Sequence, residues 1–483
     1  MRLPTIQDLM LDNGVAFGTS GVRGLVTEMS DEICAAYTQA FLTVLKQSYD
    51  FDSVAIGIDL RPSSPQIAQA CGATIQANGL KIDFCGELPT PALAYYAQKQ
   101  SIPAIMVTGS HIPFDRNGMK FYRPDGEISK ADELAMTNLP LETNNKTISP
   151  TTLSMNPKAI IDYENRYLDF FPADMLSGIK LGFYQHSSVA RDVLKTILEK
   201  LGAQVVSLDR TEIFVPIDTE AVSDEDKQRG KNWSQQYGFD AVISTDGDGD
   251  RPLIADETGT WLRGDMVGLI TSRYLAIQQI AIPISCNTAI ELSGSFDQVK
   301  RTKIGSPYVI AAMENFDSQQ GSIAGFEANG GFLLATDIET DGKKMTCLAT
   351  RDAALPIIAV LAAAQKASGK LSDLQRSLPK RYTDSDRLQN FPSSLSQSLL
   401  ASWANDPNSF GKLLGAEYSE ISACDLTDGL RLSFSNQDII HIRASGNAPE
   451  LRCYSESSDY QKAREMTQAV LNILKQYNGL QSF

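Results

Sequence analysis

The chain has 483 residues, too many for one hydrophobic core, and its length predicts about three or four domains. Hydrophobic residues at 42% and charged residues at 21% are ordinary for a globular protein; no apolar run approaches the ~20 residues of a membrane span, the N-terminal "MRLPTIQDLMLDNG" lacks a signal core, and seven cysteines without a CxxC pair fit a reducing cytoplasm. A net charge of −15 excludes a general nucleic-acid binder, so an anionic small substrate needs a local cluster of cations.

In chain order, "SVAIGIDL" (53–60) reads as a buried strand and "SSPQIAQACGATIQANG" as a helix with a Ser N-cap and Gly79 near its end. "KIDFCGELPTPALAYYAQKQ" repeats the pattern, and "PAIMVTGS" is the next strand, running into a polar loop. A second unit follows, with "GIKLGFYQ" and "AQVVSL" as strands around the amphipathic "SSVARDVLKTILEKLG", and "DAVIST" running into "DGDGDR". A third holds "DMVGLITSRYLAIQ", "IAIPIS", "YVIAAMENFD" and "SIAGFEANGGF". After the apolar helix 351–370, "LPKRYTDSDRLQNFPSSLSQ" reads as a linker or entry segment; strand-like "GLRLSF" and "DIIHIRA" and a terminal helix then predict a smaller α+β unit. The expectation is an α/β fold with three similar mixed-sheet domains in series (1–152, 153–257, 258–379) and a C-terminal α+β domain (380–483) around a central cleft.

Four loops and one glycine-rich turn near the N-terminus carry chemistry. "TDGDGDR" sets Asp246, Asp248 and Asp250 at alternate positions after a strand, with glycines that let the carboxylates converge on a hard cation. An EF-hand is ruled out by Arg251 at the position that needs glycine, and by flanking strands where helices belong. Magnesium is the expected ion. Three carboxylates leave octahedral Mg²⁺ short of ligands, and a phosphate on Ser110 in "VTGSHIPFDRNGMK" supplies another. A Ser-His-Asp hydrolase would need a G-x-S-x-G elbow, and adjacent His111 is badly placed to turn its ring on Ser110. "GFEANGGF" presents Glu327 and Asn329 on a tight loop suited to sugar hydroxyls. "IRASGNAPELR" offers Arg443, Ser445, Gly446, Asn447 and Arg452 as a phosphate cradle, and "FGTSGVRG" sets Arg23 among glycines.

These four loops, in this order, resemble those of the α-D-phosphohexomutase superfamily over essentially the full chain, most closely its bacterial phosphomannomutase/phosphoglucomutase branch. The resemblance implies that Ser110 carries a phosphoryl group and that Asp246, Asp248 and Asp250 bind Mg²⁺. It makes Lys120 and His111 candidates for proton transfer and charge balance, supported by Arg23 and Arg251. The implied reaction interconverts mannose 6-phosphate and mannose 1-phosphate, with glucose phosphates as well, through a hexose 1,6-bisphosphate intermediate and activator. Such an enzyme is cytoplasmic, a monomer or homodimer, and binds hexose phosphates, with no nucleic acid or membrane. Two loops depart from the branch pattern: Ala328 and Asn329 stand in GEMSG for Met and Ser, and Asn447 and Ala448 stand in SGTEP for Thr and Glu. "FEANG" is similar to the sugar loop of N-acetylglucosamine-phosphate mutases, which keeps an amino-sugar mutase as the alternative. A non-catalytic sugar-phosphate sensor would need no phosphate carrier, and a phosphatase would need a hydrolytic base.

Overall fold

The computed structural model describes residues 4–18, 20–141, 151–367, 369–445 and 450–479. Three α/β units follow one plan. In the first sheet Ser53–Ile58 lies parallel to Lys81–Glu87 and to Ala104–Val107, and the chain then turns back through Arg116–Arg123, antiparallel to Ala104–Val107. Val22–Leu25 and Ala16–Phe17 extend that edge. In the second, Lys180–Tyr184 is parallel to Gln204–Leu208 and Ala241–Thr245, and Pro252–Ala255 returns antiparallel. In the third, Gln279–Pro283 is parallel to Gln298–Thr302 and Ile323–Phe326, and Phe332–Leu334 returns antiparallel. Each unit therefore ends its parallel ladder in a reversal, and the reversals hold residues 108–115, 246–251 and 327–331 (the serine, metal and sugar loops). A loop at the carboxyl end of a parallel strand is where open α/β sheets place ligands.

The helices follow from local chemistry. Ser30 accepts the Ile33 N–H at the start of Asp31–Leu45, and Gly79 takes φ 74° beyond Ser64–Ala77. Ser63 occupies the expected N-cap position but makes no capping bond. It and Ser64 instead accept hydrogen bonds from the Asn117 amide, beside the serine loop. The helix Ala354–Ala367 is apolar on nearly every face because it packs within a core shared by all three units, joined there by Leu93, Leu194 and Ile270. Among the described residues no helix is long and apolar enough to cross a membrane.

The C-terminal unit is an antiparallel sheet in the order Tyr382–Gln389, Glu450–Ser457, Ile439–Ala444, Leu430–Phe434, Ile421–Asp425, with its own core around Phe410, Ile440 and Val470. The segment 378–397, expected as a linker or entry segment, is corrected where it was read as unstructured: Tyr382–Gln389 is an edge strand of the C-terminal unit, and Ser393–Asn405 is a helix. Its polar sequence reflects an edge position that leaves side chains in water, where a hydrophobic signal is weakest. Arg381 pairs with Glu456 at 2.7 Å, and Asn287 of the third unit donates to the Arg381 carbonyl and to Thr383, so this joint is polar and buried.

One tie spans the long connection after the first unit. Tyr163 and Tyr167 on Lys158–Leu168 both donate to buried Asp352, at 2.7 and 2.6 Å. Asp352→Ala leaves two buried hydroxyls unpaired and is expected to cost on the order of 3 kcal/mol, with Asp352→Asn recovering part of it. Thermal melting of the two variants checks this; an alanine variant that melts with wild type contradicts it.

Candidate active site

Ser110 follows the strand Ala104–Val107 and takes φ 54°, a left-handed conformation uncommon for a non-glycine residue. Its backbone N–H donates to Thr108 Oγ1 at 2.8 Å, and its hydroxyl donates to Asp246 Oδ2 at 2.8 Å. Ser110 is fully buried although Phe114 in the same loop is 69% exposed: the metal loop covers the serine end and leaves the tip in water. Gly247 permits that approach, since a Cβ there would lie 2.8 Å from the Ser110 carbonyl oxygen.

Asp246, Asp248 and Asp250 are all buried and offer oxygens within 4.8 Å of one another. Burial and the repulsion of Asp248 and Asp250 push the Asp246 carboxyl well above its usual range. Burial also opposes ionisation of Asp248 and Asp250, but the cations win. Lys120 Nζ sits 2.6 Å from Asp248 Oδ2 and 2.7 Å from Asp250 Oδ2, Thr90 donates to Asp248 at 2.5 Å, and both carboxyls are held low. The other oxygens, Asp248 Oδ1 and Asp250 Oδ1, are buried without a hydrogen-bond partner among the described residues. Buried carboxylate oxygens in that condition are costly unless a cation takes them, so the donor set fits a hard metal ion.

His111 Nδ1 lies 3.4 Å from Ser110 Oγ, closer than sequence adjacency led one to expect, but it already accepts an N–H from Arg251 at 2.9 Å. Burial, together with Arg251, Arg23 and Arg351, holds His111 well below its ordinary value and hence neutral. Arg23 stands across from Gly118, whose missing side chain leaves it room. Burial and the neighbouring Arg251 and Arg351 lower its guanidinium to about 10, so it stays charged at neutral pH.

Arg351, on Leu348–Asp352, joins the metal and sugar loops. Its Nε lies 3.1 Å from Asp250 Oδ2 and its Nη1 3.2 Å from Glu327 Oε2. Gly331 lets it pass, because a Cβ there would sit 2.5 Å from Arg351 Cδ. Glu327 is thus a buried, paired carboxylate, while Asn329 Oδ1 accepts the Gly331 N–H and its carbonyl accepts from Thr219, so Asn329 shapes the sugar loop.

Arg443 and Arg452 stand directly opposite each other on the last antiparallel pair, and the Nε of each is buried without a hydrogen-bond partner among the described residues. Asp428 lies 3.4 Å from Arg443, and Glu450 3.4 Å from Arg452. Ser445 ends the strand side of this loop; Gly446 and Asn447 lie outside the described residues. Burial and Asp218 push the carboxyl of Glu220, in the second unit, up, and Arg263, Arg452 and Arg251 oppose them. Ser110, His111, Lys120, Arg251 and the three aspartates are joined by direct contacts, Arg351 ties Glu327 to them, and Arg23 lies near enough to feel their charge. Sequence reading missed Arg61, Thr90 and Arg351. Only "DLRPSS", an arginine just past a parallel strand, signalled the first of them.

Family models match the chain in four consecutive stretches. They describe phosphoglucomutase/phosphomannomutase alpha/beta/alpha domain I at residues 14–143, domain II at 164–259, domain III at 263–382, and the C-terminal domain at 397–473. A phosphomannomutase of Salmonella muenchen is 48% identical over 472 residues, covering 98% of both chains. One of Sinorhizobium fredii is 44% identical, covering 95% of this chain and 99% of the relative. A phosphoglucosamine mutase of Anaeromyxobacter is 29% identical over 74% of this chain and 78% of its own. Among solved structures, a phosphoglucomutase/phosphomannomutase family protein from Burkholderia thailandensis superposes with a TM-score of 0.73 at 18% identity, covering 95% of this chain and 97% of that one.

All three histidines are buried or held neutral in the folded chain. Burial lowers His186, which donates to the Thr245 carbonyl below the metal loop, and His441 to about 4 each. An unfolded chain takes up these protons near pH 6.5, whereas the folded one resists until about 4. Stability carried by them is thus complete above pH 6.5 and lost as pH falls, by roughly 3 kcal/mol per group at the acid limit. Melting temperature should drop between pH 7 and 5, and His441→Gln should flatten the slope. A melting point that rises on acidification would sink this assignment.

Proposed function

The chain belongs to the phosphoglucomutase/phosphomannomutase family and is a phosphohexomutase, and we propose that it interconverts mannose 6-phosphate and mannose 1-phosphate, turning over the glucose phosphates as well. The observation that carries this reading is the Ser110 hydroxyl aimed at Asp246 at the floor of a buried cluster of carboxylates and cations. A serine held beside an acidic cation site suits a phosphate carrier, because the cation neutralises the charge of the phosphoryl group.

Asp246 Oδ2, Asp248 Oδ1 and Asp250 Oδ1 would hold Mg²⁺, which supplies charge neutralisation to the phosphoryl group on Ser110. Transfer breaks the P–O bond to Ser110 Oγ and forms one to the free O1 or O6 hydroxyl of the hexose monophosphate. The proton lost by the sugar hydroxyl balances the one Ser110 Oγ regains, so no external base is consumed. Lys120, fixed between two carboxylates, balances charge, and neutral His111 beside Ser110 Oγ is the candidate to relay the proton once Arg251 turns toward phosphate. Arg23 and Arg251 face the equatorial oxygens as charge develops there. Glu327, steadied by Arg351, grips O3 and O4 of the sugar, while Arg443, Ser445 and Arg452 hold the phosphate that is not reacting. The bisphosphate then turns over, and its other phosphate returns to Ser110 as the Ser110 proton passes, by way of His111, to the sugar oxygen that is released.

Mannose and glucose differ at C2, away from O3 and O4, so one loop serves both. Ala328 is buried, with its carbonyl close to Gly264. Seven free cysteines, five of them buried, support a cytoplasmic location.

Coupled assays with mannose 1-phosphate, glucose 1-phosphate and N-acetylglucosamine 1-phosphate test the reading. Mannose and glucose phosphates should both be converted, and Ser110→Ala should lose turnover while melting like wild type. A higher kcat/KM for N-acetylglucosamine 1-phosphate would transfer the assignment to the amino-sugar mutases. An active Ser110→Ala would remove the carrier.

A further inference from the structure

Arg61 lies in none of the four loops, yet its guanidinium is the hub of the serine loop. It is 1% exposed and every N–H is used. Nε donates to Asp59 Oδ2 at 3.2 Å; Nη1 donates to the carbonyls of Pro113 at 2.8 Å and Arg116 at 2.9 Å; Nη2 donates to those of Ser110 at 3.0 Å and Ile112 at 2.6 Å. The Phe214 ring from the second unit covers the guanidinium, 3.9 Å from its carbon, and also packs near Gly247 of the metal loop. Gly109 is forced by the same packing, since a Cβ there would lie 2.6 Å from Arg61 Cζ. Asp59 in turn accepts Ser64 Oγ at 2.6 Å and Thr108 Oγ1 at 2.7 Å, and Thr108 Oγ1 accepts the Ser110 N–H.

We propose that Arg61 is a positioning residue for phosphoryl transfer at Ser110: by gathering four carbonyls of the serine loop onto one planar fork it fixes the left-handed turn that aims Ser110 Oγ at Asp246. The proposal rests on the mutase reading. No other side chain can replace the fork. A lysine keeps the charge and the pairing with Asp59, but its three donors on one nitrogen cannot reach carbonyls spread around a plane. Buried carbonyls left unpaired would then pull the loop toward other geometry. Because Arg61 touches neither the sugar loop nor the arginine pair, substrate affinity has no reason to change with it.

The test uses Arg61→Lys, with rates normalised to titrated active sites so that partial unfolding cannot imitate the effect. We expect kcat to fall about 100-fold, the loss typical of a reacting group displaced by an ångström, with KM for mannose 1-phosphate within about threefold of wild type. The single-turnover rate of Ser110 phosphorylation by hexose 1,6-bisphosphate, followed by intact mass, should fall by the same factor. Should Arg61→Lys fail to fold, Thr108→Val decides, with a kcat-selective loss of about tenfold expected from removing the hydroxyl between Asp59 and Ser110. Rates within threefold of wild type in the deciding variant overturn the proposal. A wild-type protein that converts no hexose phosphate overturns the mutase reading instead, so the two failures are distinguishable.

Discussion

Three carboxylates buried within 4.8 Å of one another are the constraint around which the other loops are arranged. Like charges out of water repel strongly, and a chain can afford such a group only where cations are brought to it. The second unit, which supplies the aspartates, contributes Arg251. Lys120 comes from the first unit and Arg351 from the third. Electrostatic need therefore binds the three sheets around one point, and the loops that meet there are the ones the repeated strand reversal exposes. Four cations, Arg23, Lys120, Arg251 and Arg351, face four carboxylates, those of Asp246, Asp248, Asp250 and Glu327. A phosphoserine of about −2 charge and a divalent cation added together leave that balance intact, whereas either alone upsets it.

The sugar loop belongs to the same balance. Glu327 has Arg351 as its counter-ion, and Arg351 spends its Nε on Asp250. Under the proposed role of Glu327, a sugar hydroxyl bound there lies one guanidinium away from the carboxylates around Ser110. This gives a physical route by which the correct sugar in place favours the charge arrangement that transfer needs. The arginine pair stands on the C-terminal sheet, a unit with its own core and a polar joint to the third unit.

Much of this was legible in the sequence because its parts are contiguous. The aspartates of "DGDGDR" are fixed relative to one another by two residues of spacing, and Ser110, His111 and Lys120 lie within one turn and strand. The parallel strands were readable as apolar runs ending in polar loops. What escaped reading depends on contacts between distant segments. Arg351 meets Asp250 across about a hundred residues, Arg61 meets its carbonyls across about fifty, and Thr90 reaches Asp248 from the start of a helix in another unit. An arginine or threonine in an ordinary loop carries no mark of such a partner. Tyr382–Gln389 escaped for the opposite reason: an exposed edge strand need not look hydrophobic. The burial of Ser110 could not be read either, since its cover comes from another unit.

The account's central claim is that the phosphate on Ser110 and the metal ion occupy the carboxylate cluster as a pair. Calorimetric titration of Mg²⁺ into the protein with Ser110 phosphorylated, and again after dephosphorylation, tests it most directly. Linkage requires the phosphorylated form to bind Mg²⁺ at least about tenfold more tightly if the two charges neutralise each other. Equal affinity in the two forms would contradict the claim.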